Sequence, residues 1–401
     1  MKILQVCSKS PYPPLDGGSV AMLSHTMAFR KCRHQVTVLT MTTQKHSLSN
    51  HDKQEFDKIA EVIAVPVNTS VKFHRILMNL FFADLPYNAE RFITPRFRKT
   101  LIRLLRSVPF DIIQLEGLYL TPYIPDIRKN SNALVAFRAH NVEHEIWQRI
   151  ARNETRPIAK YYYKILANRI LRLEHRVMNS YDLLVPITQR DQLNFDKLGN
   201  TRPVFVCPAG LVLDPLPENA QVKPVASLFF LGALDWKPNQ EGLLWFVNNV
   251  FPDLQSRFPG IQFHVAGRNA PAWLVKILIR CQGITFHSEV PDARTFVLSK
   301  GILVAPYFSG GGMRVKIPEA MALGKPVVTS SLGAEGLDVS DGNNIFIAGK
   351  KEEYIEKIEK LLLNPDLFVK IGANALAFIR STFNERMTSE RLVEFYENQL
   401  K

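Results

Sequence analysis

Between Pro306 and Pro326 the chain reads Pro-Tyr-Phe-Ser-Gly-Gly-Gly-Met-Arg-Val-Lys-Ile-Pro-Glu-Ala-Met-Ala-Leu-Gly-Lys-Pro, with three consecutive glycines, two cations and one carboxylate between an apolar run and a helical pattern. Gly310, Gly311 and Gly312 have no Cβ, so the backbone can turn sharply and aim N–H groups at an anion. Arg314 and Lys316 add full positive charge beside the start of the following helix, a place where cations are unfavourable unless an anion accompanies them. Pro318 suits a first helical turn and sets Glu319 just inside it. A carboxylate there binds hydroxyls rather than phosphate. A diphosphate flanked by sugars satisfies all of these groups, and a nucleotide sugar is such a ligand. The plainer alternative is a set of solvated charges at a helix start.

A second glycine turn, Gly17-Gly18, follows the first apolar run and opens a helical pattern in the other half of the chain. Its N–H groups suit a phosphate or a sugar ring, although a ligand-free turn accounts for such a pair equally well. Arg138-Ala139-His140-Asn141-Val142-Glu143 also follows an apolar run, which places His140 where a parallel sheet presents its ligands. Either His140 works on a substrate or it caps the helix that begins beside it. Glu116, after Asp111–Leu115, is placed to orient an acceptor hydroxyl. Glu143 and His144 fall within the next helix and are weaker candidates.

The elements that must hold these loops are short apolar runs alternating with helical stretches. In the first half they are Ile3–Cys7, Gln35–Thr40, Val62–Val67, Asp111–Leu115, Ala133–Phe137, Leu183–Ile187 and Val204–Val206. In the second they are Leu228–Gly232, Gln262–Ala266, Ile284–Phe286, Ile302–Ala305, Pro326–Thr329 and Ile345–Ile347. Continuous apolar strands separated by helices predict parallel sheets covered on both faces, hence an α/β protein of two Rossmann-like domains. A length of 401 residues fits two domains of about 200 each. The predicted division is 1–210, a linker at 211–227 rich in proline and polar residues, 228–383, and a terminal helix at 384–401. In that helix Leu392, Phe395, Tyr396 and Leu400 share one apolar face that must pack on something.

The net charge of +13 is uneven: residues 1–200 hold 29 Lys+Arg against 17 Asp+Glu, and residues 201–401 hold 21 against 20. This asymmetry points the first half at a polyanion, with an anionic membrane leaflet as one candidate and solubility as the plain alternative. No basic-aromatic nucleic-acid motif is present, so no nucleic acid partner is expected. Two segments have the makings of a lipid-facing surface, Ile76–Phe82 flanked by Lys72 and Arg75, and the tyrosine- and cation-rich run Arg152–Arg176. Helix packing explains them as well. The four cysteines, Cys7, Cys32, Cys207 and Cys281, show no metal or disulfide spacing and suit a reducing compartment. With no apolar stretch of about 18 residues, the expected location is cytoplasmic, peripheral on the inner face of the plasma membrane.

Together the Gly17-Gly18 loop, the His140-Asn141 turn, Cys207-Pro208-Ala209-Gly210 and the Glu319-Ala320-Met321-Ala322-Leu323-Gly324-Lys325-Pro326-Val327 block resemble the retaining glycosyltransferases of family 4. The resemblance implies the GT-B fold, with two parallel sheets facing across a cleft and the terminal helix crossing back onto the first domain. It implies a sugar moved from a nucleotide-diphosphate donor to a glycan or lipid-linked acceptor, with no metal or other cofactor. In that family a Glu-x7-Glu pair spans the glycine loop; here the second Glu is Glu319, and Gly311 stands at the first position. The family's Gly-Arg-Leu-x3-Lys pattern is replaced by Gly232-Ala233-Leu234-Asp235-Trp236-Lys237-Pro238-Asn239. The chain looks like a sub-branch carrying Gly-Gly-Met-Arg-Val-Lys instead, in which Arg314 and Lys316 are expected to take over the diphosphate, and donor binding is expected of Gly17, Gly18, Asn239, Gly311, Gly312, Met313, Arg314, Lys316 and Glu319. The resemblance gives His140 the role at the transferred sugar. A GT-B epimerase using Glu116 and Glu143, and a non-catalytic nucleotide-sugar binder, are the alternatives.

Overall fold

The computed structural model describes residues 1–44, 46–208, 223–310, 313–383 and 385–401. Two compact units emerge, Met1–Val212 together with Glu385–Lys401, and Leu213–Asn384.

The first unit is built on a six-stranded parallel sheet of order β3-β2-β1-β4-β5-β6. The strands are β1 Lys2–Cys7, β2 Gln35–Thr42, β3 Glu61–Pro66, β4 Ile112–Glu116, β5 Leu134–Ala139 and β6 Leu183–Pro186. Alternation divides each strand between two cores. Leu4 and Val6 join Ile113 and Leu115 on one face, under the helices Pro95–Ser107 and Pro157–Val177. Ile3 and Cys7 join Ile112 and Ala136 on the other, under the helix Gly17–Lys31. The C-terminal helix Glu385–Leu400 completes that second face, burying Leu392, Val393 and Tyr396 and stacking Phe395 on Phe205 at 5.5 Å between ring centres. Leu400, predicted on the same face, is 41% exposed because it ends the helix beyond the sheet.

The second unit repeats the plan, with order β12-β11-β10-β7-β8-β9. Its strands are β7 Ser227–Leu231, β8 Gln262–Ala266, β9 Ile284–His287, β10 Ile302–Ala305, β11 Val327–Thr329 and β12 Phe346–Ile347. The two parallel sheets agree with the α/β class predicted from the apolar runs.

Val204–Val206 differs from its prediction, making a single bridge from Val204 to Leu184 in place of a strand. Prolines at 203 and 208 bracket it and supply no N–H to a ladder. Of the predicted linker, residues 211–222 lie outside the described residues, and 223–226 precede β7 without regular structure. Among the described residues no single helix is long and apolar enough to cross a membrane; the bent pair Lys351–Leu363 and Pro365–Thr382 passes by length and composition only.

Candidate functional site

In each sheet the chain reverses its direction of travel between two neighbouring strands, and the loops leaving those strands border the crevice where open α/β sheets take ligands. The first unit turns between β1 and β4, the second between β10 and β7.

In the first unit, the loop after β1 leads into the helix Gly17–Lys31, whose first residues are the predicted Gly17 and Gly18. Asp16 caps it, accepting from Ser19 N–H at 2.9 Å. The same carboxylate takes Lys9 Nζ at 2.6 Å and His46 Nε2 at 3.1 Å. Burial works to raise its pKa, but His46 and Lys9 together hold it well below the usual carboxylate range. The Lys9 ammonium lies close over Gly18, 2.9 Å from where a Cβ would stand. A fixed cation therefore sits at this glycine turn.

Glu116 is the last residue of β4, beside Cys7 of β1 and Arg138 of β5. Its carboxylate has no exposed surface. Oε1 accepts from Gln5 Nε2 at 2.7 Å and Gln114 Nε2 at 2.5 Å. Oε2 accepts from His140 Nε2 at 2.7 Å, with Arg138 Nε 3.6 Å away. Burial pushes the Glu116 pKa up; the hydrogen bond and charge of His140, then Arg138 and His25, bring it down to about 2. The prediction that Glu116 reaches an acceptor hydroxyl is thus corrected, since both of its oxygens are engaged inside the unit. His140 stands just past β5 and remains partly exposed at 16%. With Nε2–H donated to Glu116, its ring is held in one orientation while Nδ1 stays clear of that bond.

The network extends inward. Arg138 is fully buried, with Nη1 3.5 Å from the carbonyl of Cys207. Thr26 Oγ1 donates to Gln5 Oε1 at 2.6 Å, and Tyr396 of the C-terminal helix donates to Gln114 Oε1 at 2.7 Å. Burial, then the charge of Arg138, pushes the His25 pKa well below the usual imidazole value. In this way the last helix of the chain helps set the amide that holds Glu116.

Glu143 opens the helix Glu143–Asn153 and accepts from Tyr119 OH at 2.9 Å and Asn141 Nδ2 at 3.2 Å. Burial raises its pKa to about 6 against the lowering effect of those bonds, and the Glu174 charge adds to the rise. His144 Nδ1 bonds Glu174 Oε2 at 2.5 Å.

In the second unit, the helix Lys237–Trp245 follows β7 and the glycine loop follows β10. Close backbone approach binds the two, since a Cβ on Gly242 would lie 1.7 Å from the Pro306 carbonyl oxygen. Asn239 is buried and donates from Nδ2 to Ala233 O at 2.8 Å, closing the loop after β7. Ser309 Oγ donates to Glu241 Oε2 at 2.5 Å, tying the second loop to the first helix. Gly310 adopts φ +92°, a conformation that side chains rarely take, with Pro238 and the Arg314 guanidinium packed against it. Arg314 lies over the Tyr307 ring, 5.1 Å from its centre. Lys316 Nζ meets Glu319 Oε2 at 2.7 Å, both side chains about one-third exposed. Both belong to the helix Lys316–Ala322, in which Pro318 is the third residue and so lies in the first turn, as its missing N–H predicts. Met313 is half-buried beside them, whereas Gly311 and Gly312 lie outside the described residues.

The predicted groups therefore collect in two places. Gly17, Gly18, Glu116 and His140 stand at the carboxyl end of the first sheet, and Asn239, Met313, Arg314, Lys316 and Glu319 at that of the second. Sequence reasoning missed Gln5, Gln114, Arg138 and Tyr396 as the support of His140, and Lys9, Asp16 and His46 at the first glycine turn. The available signal was the polar residues Gln5, Gln114 and Arg138 within otherwise apolar strands. Among the described residues, no group of three or more His, Cys, Asp or Glu side chains is placed to hold a metal ion.

Residues 226–364 match the family model for glycosyl transferases group 1. Over nearly its full length the chain is similar to an uncharacterized 44.6 kDa protein in the cps region of Klebsiella pneumoniae, with 24% identity across 96% of this chain and 97% of that one. Its fold is similar to sucrose-phosphate synthase from Thermosynechococcus elongatus, with a TM-score of 0.72 and 14% identity over 100% of this chain and 99% of the other. It is also similar to Anabaena Alr3699/HepE in complex with UDP and glucose, with a TM-score of 0.68 and 16% identity over 99% and 100% of the two chains. The fold is GT-B.

Proposed function

We propose that this protein is a glycosyltransferase that moves a sugar from a nucleotide-diphosphate sugar to a glycan or lipid-linked acceptor, with retention of anomeric configuration. The observation that carries this reading is the placement of Asn239, Arg314, Lys316 and Glu319 where the two loops bordering the direction reversal of the second sheet run into their helices, inside the segment matching the glycosyl transferase model. Arg314 and Lys316 bring two positive charges to the departing diphosphate, a role in which fixed protein cations can do without a metal. Glu319 accepts hydrogen bonds from ribose hydroxyls once Lys316 turns from it to phosphate.

In the proposed step the bond between the anomeric carbon and the phosphate oxygen breaks as the acceptor oxygen bonds the same face of that carbon. The acceptor proton passes to the leaving phosphate. His140, oriented by Glu116, binds the transferred sugar. The reaction is assigned to the cytoplasm, at the inner face of the plasma membrane where a lipid-linked acceptor is held, and to surface polysaccharide or glycoconjugate synthesis. A GT-B epimerase would need free acid and base carboxylates, and the engagement of both Glu116 oxygens weighs against it.

A panel of UDP-, GDP- and ADP-sugars, with nucleoside diphosphate release followed with and without candidate acceptors, tests the reading. Release that rises with an acceptor is expected, together with a thermal shift by the matching donor. Failure of every donor to bind or react would overturn it.

A further inference from the structure

The helix Phe73–Phe82 is built inside out. Its inward anchor is polar: Asn79, 5% exposed, donates from Nδ2 to Leu85 O at 2.9 Å and to the Glu90 carboxylate. Arg169, from the helix Pro157–Val177, grips the C-terminal end by donating to Asn79 O and Oδ1, both at 2.9 Å, and to the carbonyls of Leu80 and Ala83. The carbonyls of Leu80 and Ala83 are among those a helix end leaves without partners, so the Arg169 fork fixes the helix to the body of the unit. The outward face is apolar. Leu77, Met78 and Phe81 follow helical spacing there, joined by Phe82, with Phe81 73% and Phe82 86% exposed.

Exposed cations flank this helix in sequence and line another helix of the same unit. Lys72 and Arg75 stand at the helix start, opposed on the same segment by Asp84. On the same side of the sheet, the helix Pro95–Ser107 buries Phe97, Leu101 and Leu104 and turns Arg96, Lys99, Arg103 and Arg106 along an open groove. The unit holding these helices contains nearly all of the excess positive charge of the chain, +12 of +13 by the counts of residues 1–200. Apolar side chains held out by a polar anchor on a unit rich in positive charge match a bilayer with anionic headgroups, which offers hydrocarbon and negative charge together. A second copy of the chain would bring cations against cations.

We propose that Leu77, Met78, Phe81 and Phe82 insert into an anionic lipid surface, with Lys72, Arg75 and the Arg96–Arg106 face on its headgroups. The inference rests on the reading above for a lipid-linked acceptor at that surface. Nucleoside diphosphate binding measured without lipid tests that reading separately.

The test is sedimentation of the full chain with phosphatidylglycerol vesicles and with phosphatidylcholine vesicles. Binding to the anionic vesicles, weakened by salt, is expected, with Phe81→Ser/Phe82→Ser lowering the partition on the order of 100-fold. Replacing Arg96, Lys99 and Arg103 with Gln should weaken anionic binding while leaving the melting temperature and nucleotide binding in place. Equal binding to both vesicle types, or a phenylalanine variant that partitions like the parent, overturns the proposal. So does a parent chain that dimerises through this face, shown when the same variant becomes monomeric in sizing columns with its vesicle binding unchanged.

Discussion

His140 Nε2 donates to Glu116 Oε2 at 2.7 Å, joining the ends of β5 and β4 so that a partly exposed imidazole is oriented by a carboxylate with no exposed surface. The two residues should therefore fail differently when replaced. His140→Ala is expected to lower turnover by about 100-fold or more and, by taking a hydrogen bond from the buried Glu116 carboxylate, to cost roughly 1–3 kcal/mol of stability as well. Glu116→Gln leaves the buried Arg138 without its carboxylate and should cost roughly 3–5 kcal/mol of stability. Denaturant unfolding and initial rates on both variants check this; a Glu116→Gln protein as stable as the parent would contradict the ion-paired role.

Arg314 is held over Tyr307 beside Gly310, within the segment assigned to the diphosphate. Arg314→Ala should weaken nucleoside diphosphate binding by about 1.5–3 kcal/mol, the worth of a charge-assisted hydrogen bond. Titration calorimetry measures it, and unchanged affinity removes the assignment.

Glu319 and Lys316 form a 2.7 Å pair at a part-exposed position. Such pairs contribute about 0–1 kcal/mol, so Glu319→Ala should hardly alter the melting temperature while raising nucleotide dissociation. The opposite pattern, a large drop in melting temperature with affinity kept, would make Glu319 a helix-start acid alone.

Two carboxylates give the first unit opposite responses to pH. The folded-state pKa of Glu116, about 2, lies below its ordinary 4.5, so its contribution is present above pH 4.5 and is lost as pH falls toward 2. That contribution is on the order of 3 kcal/mol. Glu143, raised from 4.5 to about 6, works the other way: its contribution is complete below pH 4.5 and is lost as pH rises through 6. Unfolding free energies from pH 3 to 7 should show the acid-side loss vanish in Glu116→Gln and the loss between pH 4.5 and 6 vanish in Glu143→Gln. Parallel curves for parent and both variants would refute the assignment.

Much of this architecture was readable before any coordinates. Runs such as Ile3–Cys7, Gln262–Ala266 and Ile302–Ala305 announced themselves because strands buried on both faces must be apolar at consecutive positions. The loops at their ends followed, which is why His140 and Arg314 were expected in loops beyond strand ends. Strand order was not legible, and the support of His140 depends on it. Gln5, Gln114 and Arg138 look like breaks in apolar strands until β1, β4 and β5 lie side by side and the three converge on Glu116. For the same reason Glu116 looked available to a substrate, because spacing along one strand does not disclose what its neighbours offer. The Lys9, Asp16 and His46 cluster joins loops after different strands and was equally hidden.

The first unit lacks part of its interior until Leu392, Val393 and Tyr396 arrive, and those residues are translated after the whole second unit. While the ribosome is still elongating, the hydrophobic floor under Phe29 stands open and the amide of Gln114 has no phenol to meet it. A nascent chain stalled before residue 385 should thus yield to protease in its amino-terminal portion although every strand of that sheet has already been made. Maturation of the enzyme's beginning waits on the synthesis of its end.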